Sequence, residues 1–252
     1  MKHRIRRIAF WLCLIVAVAA GGFVIKDQYE VRKEQQRAQE LSRAAQAKKE
    51  EEPSAPKEET PAVYRSPINF DELRRINSET VGWLVIPNTN IDAPMVQTGD
   101  NETYLTKAFS GEYSKNGAIY LDYESTGDFT GKNIIIYGHN RKNGLMFQEL
   151  TKFKDQEFFE ANRSFVIYTP TEEIHLRTIA CYEGPADAQK RRTKFETEEA
   201  FQQYLDEMTA PCAFRQLPAQ TKQVFTLITC DYGGNDYRTY LWAVRDDEAQ
   251  QP

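Results

Sequence analysis

Gln223-Val-Phe-Thr-Leu-Ile-Thr229 is dominated by β-branched and aromatic residues, ends in Cys230, and is followed by the glycine-containing loop Asp231-Tyr-Gly-Gly-Asn-Asp236. A run of this kind bounded by turn residues reads as a β-strand. Working outward, six further runs share its character: Gly82-Trp-Leu-Val-Ile86, Ala118-Ile-Tyr-Leu121, Asn133-Ile-Ile-Ile-Tyr137, Ser164-Phe-Val-Ile-Tyr168, Ile174-His-Leu-Arg-Thr-Ile179 and Tyr237 to Val244. Seven short strands, mostly without helices between them, predict a mainly β domain, either barrel or sandwich. Two stretches break the pattern, Gly144 to Phe153 and Thr197 to Met208. In the second, Ala200, Phe201, Tyr204, Leu205 and Met208 recur at helical spacing, which predicts an amphipathic helix whose aromatic stripe packs on the core. Asn69-Phe-Asp-Glu72 carries a polar residue with Glu three positions on, so a short helix is expected to about Ile76.

Composition narrows the function classes. The chain has 252 residues, is 40% hydrophobic and 27% charged, and carries a formal charge of −5. That size suits one globular domain with appendages. The acidic balance argues against nucleic-acid binding, which needs a basic face. Cysteines at 13, 181, 212 and 230 show no C-x-x-C spacing, so neither a disulfide framework nor a zinc site is indicated. Cys181 and Cys212 read better as small buried hydrophobes, although a bond between them stays open. With no nucleotide-binding glycine motif, H-E-x-x-H or EF-hand loop, no cofactor and no metal is expected.

Lys2, Arg4, Arg6 and Arg7 precede an uncharged apolar run from Ile8 to Ile25. At about 1.5 Å per residue this run nearly crosses a ~30 Å hydrocarbon core. The basic start places the N-terminus in the cytoplasm and the remainder outside. Ala17-Val18-Ala19 leaves a cleaved signal peptide as a competing reading, disfavoured by the continued apolarity of Phe23-Val24-Ile25. Residues 26–52 are rich in helix formers without a sustained heptad, which predicts a solvated stalk. Pro53, Pro56, Pro61 and Pro67 then mark a linker. The expected division is a basic tail and membrane anchor over 1–25, a helical stalk and proline-rich linker over 26–67, and a folded domain over 68–252.

Three residues at strand ends carry potential chemistry. Cys230 is placed for nucleophilic attack, but an unperturbed thiol, with pKa about 8.5, is mostly protonated at neutral pH and needs a partner. His139 ends the apolar run Ile134-Ile-Ile-Tyr-Gly138 and could serve as acid/base. Arg238 lies at the start of the strand after Cys230, where an ordinary loop returns it beside the cysteine and a guanidinium could stabilise an oxyanion. A lone histidine or arginine is usually a packing or surface residue. His3, in the basic terminus, and His175, mid-strand, are read that way.

Thr226-Leu-Ile-Thr-Cys230 resembles the T-L-x-T-C signature of sortases, and Tyr137-Gly-His-Asn140 resembles the segment carrying that family's histidine. The likeness runs from about Phe70 to Arg245 and includes Val81-Gly-Trp-Leu-Val-Ile-Pro87, Pro94-Met-Val-Gln97, Asp100-Asn-Glu-Thr-Tyr-Leu105 and Ser114-Lys-Asn-Gly-Ala-Ile-Tyr-Leu-Asp-Tyr123. It is most similar to class B sortases. The resemblance implies a closed eight-stranded β-barrel with N-terminal helices and a helix before the cysteine strand. It also implies recognition of a C-terminal sorting signal on surface proteins, cleavage after Thr, and transfer to an amine of cell-wall precursor or pilin. By this likeness Cys230 forms the thioacyl intermediate, His139 is the acid/base and Arg238 supports substrate or oxyanion. Thr229, Asn101 and Leu105 are expected to line the groove, together with Ile228, where many class B members carry a small polar residue. A membrane-anchored cysteine endopeptidase and an inactive membrane-tethered binding module remain as alternatives.

Overall fold

The computed structural model describes residues 2–46, 64–141, 144–231 and 236–249, with Cys230 and Asp231 described by their backbone. The chain divides into two compact units, Met1–Leu41 and Ser42–Pro252. Helix α1 (Lys2–Gln46) is continuous through the expected anchor and much of the expected stalk. Its Phe10–Arg43 portion contains a window of mean hydropathy 1.9 that is wholly unburied, long and apolar enough to cross a membrane. The linker expected beyond it falls largely on 47–63, outside the described residues.

In the larger unit, α2 (Phe70–Ile76) begins where Asn69 accepts a hydrogen bond from the Glu72 amide at 3.2 Å. Eight strands follow: β1 (Thr80–Val85), β2 (Asp92–Val96), β3 (Ile119–Leu121), β4 (Asn133–Tyr137), β5 (Ser164–Tyr168), β6 (Glu173–Pro185), β7 (Val224–Asp231) and β8 (Tyr237–Arg245). They close in the order β1-β2-β3-β4-β7-β8-β6-β5, so the structure is a closed barrel rather than a sandwich. β2/β3 and β4/β7 are parallel pairs; the other pairs are antiparallel.

The added strand is β2, which the sequence reading did not count. Pro94 interrupts its apolar run, and proline lacks the N–H that a central ladder uses. The strand is tolerated because its parallel pairing with β3 involves only Met95 and Val96. β6 also extends past Ile179 to Pro185, its register with β8 shifting between Thr178 and Ala180. The stretch over 144–153 that breaks the strand pattern leads into a 3-10 turn at Gln148–Lys154 and helix α3 (Gln156–Ala161). Asp155 restarts the helix by accepting from the Phe158 amide at 2.9 Å.

Helix α4 (Glu198–Thr209) starts where Thr197 accepts from the Ala200 amide. Its buried residues Phe201, Tyr204 and Leu205 pack with Ile135, Ile228, Tyr240 and Trp242 on the outer face of β4, β7 and β8. The barrel interior is filled separately by Leu84, Met95, Ile134, Ile136, Phe147, Phe225, Leu227, Leu241 and their neighbours. Residues of β4 and β7 thus alternate between two hydrophobic clusters, which holds that part of the wall from both sides. The C-terminal helix α5 (Asp246–Ala249) follows β8 directly.

Candidate active site

The parallel register of β4 with β7 sets the geometry. Tyr137 pairs with Ile228, and the Gly138 amide donates to the Ile228 carbonyl at 3.3 Å. Two residues further along each chain stand His139 and Cys230. On the other side of β7, Cys230 pairs directly with Arg238 of β8. The three residues singled out for chemistry therefore occupy one end of three adjacent strands. The side chain of Cys230 lies outside the described residues.

A cavity of about 480 Å³ opens at this end, and His139, Arg238, Thr229, Asn101, Leu105 and Ile228 all line it. Tyr120, Tyr137, Asp187, Arg191 and Tyr240 complete much of its wall. None of these five was singled out from the sequence. Tyr137 sat inside a quoted motif as a strand residue, and Asp187 and Arg191 lie in a polar segment without periodicity.

His139 is partly buried, and its Nε2–H donates to the Leu105 carbonyl at 2.7 Å. That bond fixes the tautomer and leaves Nδ1 as the nitrogen that gains and loses a proton. Burial pushes its pKa below the usual 6.5, the Leu105 carbonyl pulls the other way, and the Arg141 cation lowers it further. The imidazole is thus neutral at neutral pH. Two close approaches hold it. Gly117, at φ +63°, lies against the ring's Cδ2 and the Tyr104 carbonyl, where a Cβ would come within 2.3 Å of that oxygen. Gly138 lies under Phe147, whose amide donates to the His139 carbonyl at 2.9 Å.

Arg238 donates to the Tyr237 carbonyl at 3.0 Å and pairs with Asp236 at 2.7 Å. Asp236 is 70% exposed, so this ion pair is solvent-screened and leaves the guanidinium free to exchange toward a ligand. Thr229 is 2% exposed, yet its hydroxyl has no partner among the described residues.

The other cysteines differ. Among the described residues Cys13, Cys181 and Cys212 are thiols rather than disulfides. Burial pushes the Cys212 thiol up to about 11, which makes it a poor nucleophile.

Comparison with known proteins bears on the family and the fold. The family model described as "Sortase domain" matches residues 84–246. Sortase B of Listeria monocytogenes is 34% identical over 162 residues, covering 64% of this chain and 66% of the relative's length. The chain therefore spans about two thirds of that protein. The crystal structure of sortase B from B. anthracis in complex with AAEK1 superposes with a TM-score of 0.72 at 26% identity, covering 86% of this chain and 99% of that one. A Staphylococcus aureus sortase B–substrate complex superposes with a TM-score of 0.65 at 27% identity, covering 69% and 83%.

Proposed function

This chain belongs to the sortase family, and on that premise we propose that it is a class B-type cysteine transpeptidase using Cys230, His139 and Arg238. The observation that carries the reading is the strand register that brings the three to one barrel end, where His139 and Arg238 line a cavity. The substrate is a surface protein with a C-terminal sorting signal, cleaved after Thr. The acceptor is an amine of cell-wall precursor or pilin.

Neutral His139 takes the Cys230 thiol proton on Nδ1, the resulting thiolate attacks the carbonyl carbon of the scissile peptide, and the carbonyl oxygen becomes an oxyanion stabilised by the Arg238 guanidinium. Collapse of this intermediate breaks the C–N bond while protonated His139 gives its Nδ1 proton to the departing amine. In the second half the acceptor amine attacks the thioacyl carbon and passes its proton to neutral His139, and the thiolate leaves. A neutral resting imidazole suits that second proton transfer. Asn101, Leu105, Ile228 and Thr229 line the groove that holds the signal.

The unburied apolar stretch of α1 supports a membrane anchor over 1–25, with the N-terminus cytoplasmic and the catalytic domain, 68–252, outside beyond a stalk and linker over 26–67. Intact mass of membrane-extracted protein tests this, and a chain starting near Ala20 would overturn the anchor. The activity is tested by product analysis of a sorting-signal peptide with and without oligoglycine or diamino-acid peptide acceptors. Ligated product should rise with acceptor at the expense of free acid. Hydrolysis insensitive to every acceptor would point instead to an endopeptidase.

A further inference from the structure

Asp122 follows β3, is 4% exposed, and belongs to neither the catalytic trio nor the cavity lining. Its carboxylate nevertheless holds two cavity residues. Oδ2 accepts from the Tyr137 hydroxyl at 2.9 Å and from Asn101 Nδ2 at 2.8 Å, and Oδ1 accepts from the Glu124 amide at 2.8 Å. Asn101 is fixed at its other end too, since its Oδ1 accepts from the Tyr123 amide at 3.1 Å and its backbone carbonyl from the Tyr120 hydroxyl at 3.1 Å.

The inventory of donors then decides what the cavity presents. A phenol has one proton, and that of Tyr137 is committed to Asp122, so its oxygen can face the cavity only with lone pairs. The Arg191 guanidinium lines the same cavity and acts on the phenol, toward whose oxygen it can only donate, as that assignment requires. Asn101 has given its oxygen to Tyr123 and one amide proton to Asp122, which leaves one N–H. We propose that Asp122 is a positioning residue for the substrate groove, setting Tyr137 to meet the substrate as a hydrogen-bond acceptor and Asn101 to meet it as a donor. The complementary ligand at this wall offers one N–H and one carbonyl oxygen, the pattern of an extended peptide unit or a carboxamide side chain. The inference rests on the proposed sorting-signal function for its substrate, but not for its geometry.

Asp122→Asn is the incisive variant, because the carboxamide is nearly isosteric but replaces one acceptor oxygen with a donor. Three N–H or O–H donors converge on the carboxylate, so whichever way the amide turns, a donor faces a donor. The full chain in detergent is assayed for kcat and KM with a sorting-signal peptide and for Cys230 alkylation by iodoacetamide. The Tyr137 hydroxyl proton is observed by NMR, assigned with Tyr137→Phe. The expected result is a fall of about tenfold in kcat/KM, carried by KM, with the alkylation rate held within about twofold. The double variant Asp122→Asn/Tyr137→Phe should be no worse than the more impaired single variant, since both remove one coupled unit. A slowly exchanging Tyr137 hydroxyl proton should be present in the wild type and lost in Asp122→Asn. An unchanged peptide KM, multiplying single-variant effects, or no protected hydroxyl proton in the wild type would each overturn the proposal. Should the wild type cleave no sorting peptide, the proposed function fails separately, and the hydroxyl proton still decides the role of Asp122.

Discussion

The parallel pair β4/β7 ends differently at its two poles. At the Asn133/Val224 pole the polar groups satisfy one another. Asn133 Nδ2 donates to the Arg192 carbonyl at 2.9 Å and to the Tyr204 hydroxyl at 3.1 Å, and its Oδ1 accepts from Thr226 at 2.7 Å. Gln223 closes the same pole with bonds to the Phe129 and Gly131 carbonyls at 2.6 and 2.7 Å. At the Tyr137/Ile228 pole, among the described residues, the Thr229 hydroxyl has no partner, His139 keeps one nitrogen uncommitted, and Arg238 is tied to Asp236 and the Tyr237 carbonyl. One ladder thus carries a saturated network that locks the fold and an unsaturated one that can receive a ligand. The difference lies in whether the donors and acceptors have already found each other.

This contrast breaks if a change at the open pole costs stability instead of turnover. Cys230→Ala should reduce kcat/KM at least about a thousandfold while preserving the melting temperature. Peptide turnover and thermal melting together check it. Wild-type turnover in that variant would end the proposed mechanism.

Arg238→Lys should lower kcat/KM about a hundredfold, because lysine keeps the charge and loses the planar fork that can hold an oxyanion and a substrate carbonyl together. Steady-state kinetics on the same peptide measure it, and an unchanged rate would reduce Arg238 to a distant charge.

The closed pole should behave in the opposite way. Asn133→Ala strands the Thr226 hydroxyl and removes the donor to the Tyr204 hydroxyl, which keeps its own bond to the Lys190 carbonyl, with an expected loss of about 1–3 kcal/mol in urea unfolding of the full chain. Its kcat/KM should stay near wild type. A large kinetic defect at unchanged stability would show that the two poles are coupled rather than divided in role.

The smallest effect concerns pH. His139 is held below its ordinary 6.5, chiefly by burial. A histidine with a lowered folded pKa contributes stability that is whole above 6.5 and is lost as pH falls through the folded value, because the unfolded chain binds the proton more readily. The stability of wild type relative to His139→Gln should therefore decline with acidification in that window, read from urea midpoints at several pH values. A wild type that gained stability relative to the variant on acidification would mean that the folded pKa is raised and that the imidazole rests as a cation.

Local sequence was sufficient for elements whose cause is local. The runs that became β4, β5 and β7 carry uninterrupted β-branched and aromatic residues, and the α4 stripe Phe201, Tyr204, Leu205 has the spacing of one helix face, with Thr197 as its cap. The placement of His139, Cys230 and Arg238 at strand ends was legible because each stands next to turn-forming residues. Tertiary structure decided what depends on pairing across the chain. β2 exists because Pro94 sits where parallel pairing asks little of it, and barrel closure over sandwich depends on the β1/β5 and β6/β8 partnerships, which periodicity does not encode. The cavity wall was likewise beyond local reading. Asp122 matters because two donors from other segments, Asn101 and Tyr137, converge on one buried oxygen, and only folding brings those segments within hydrogen-bond reach.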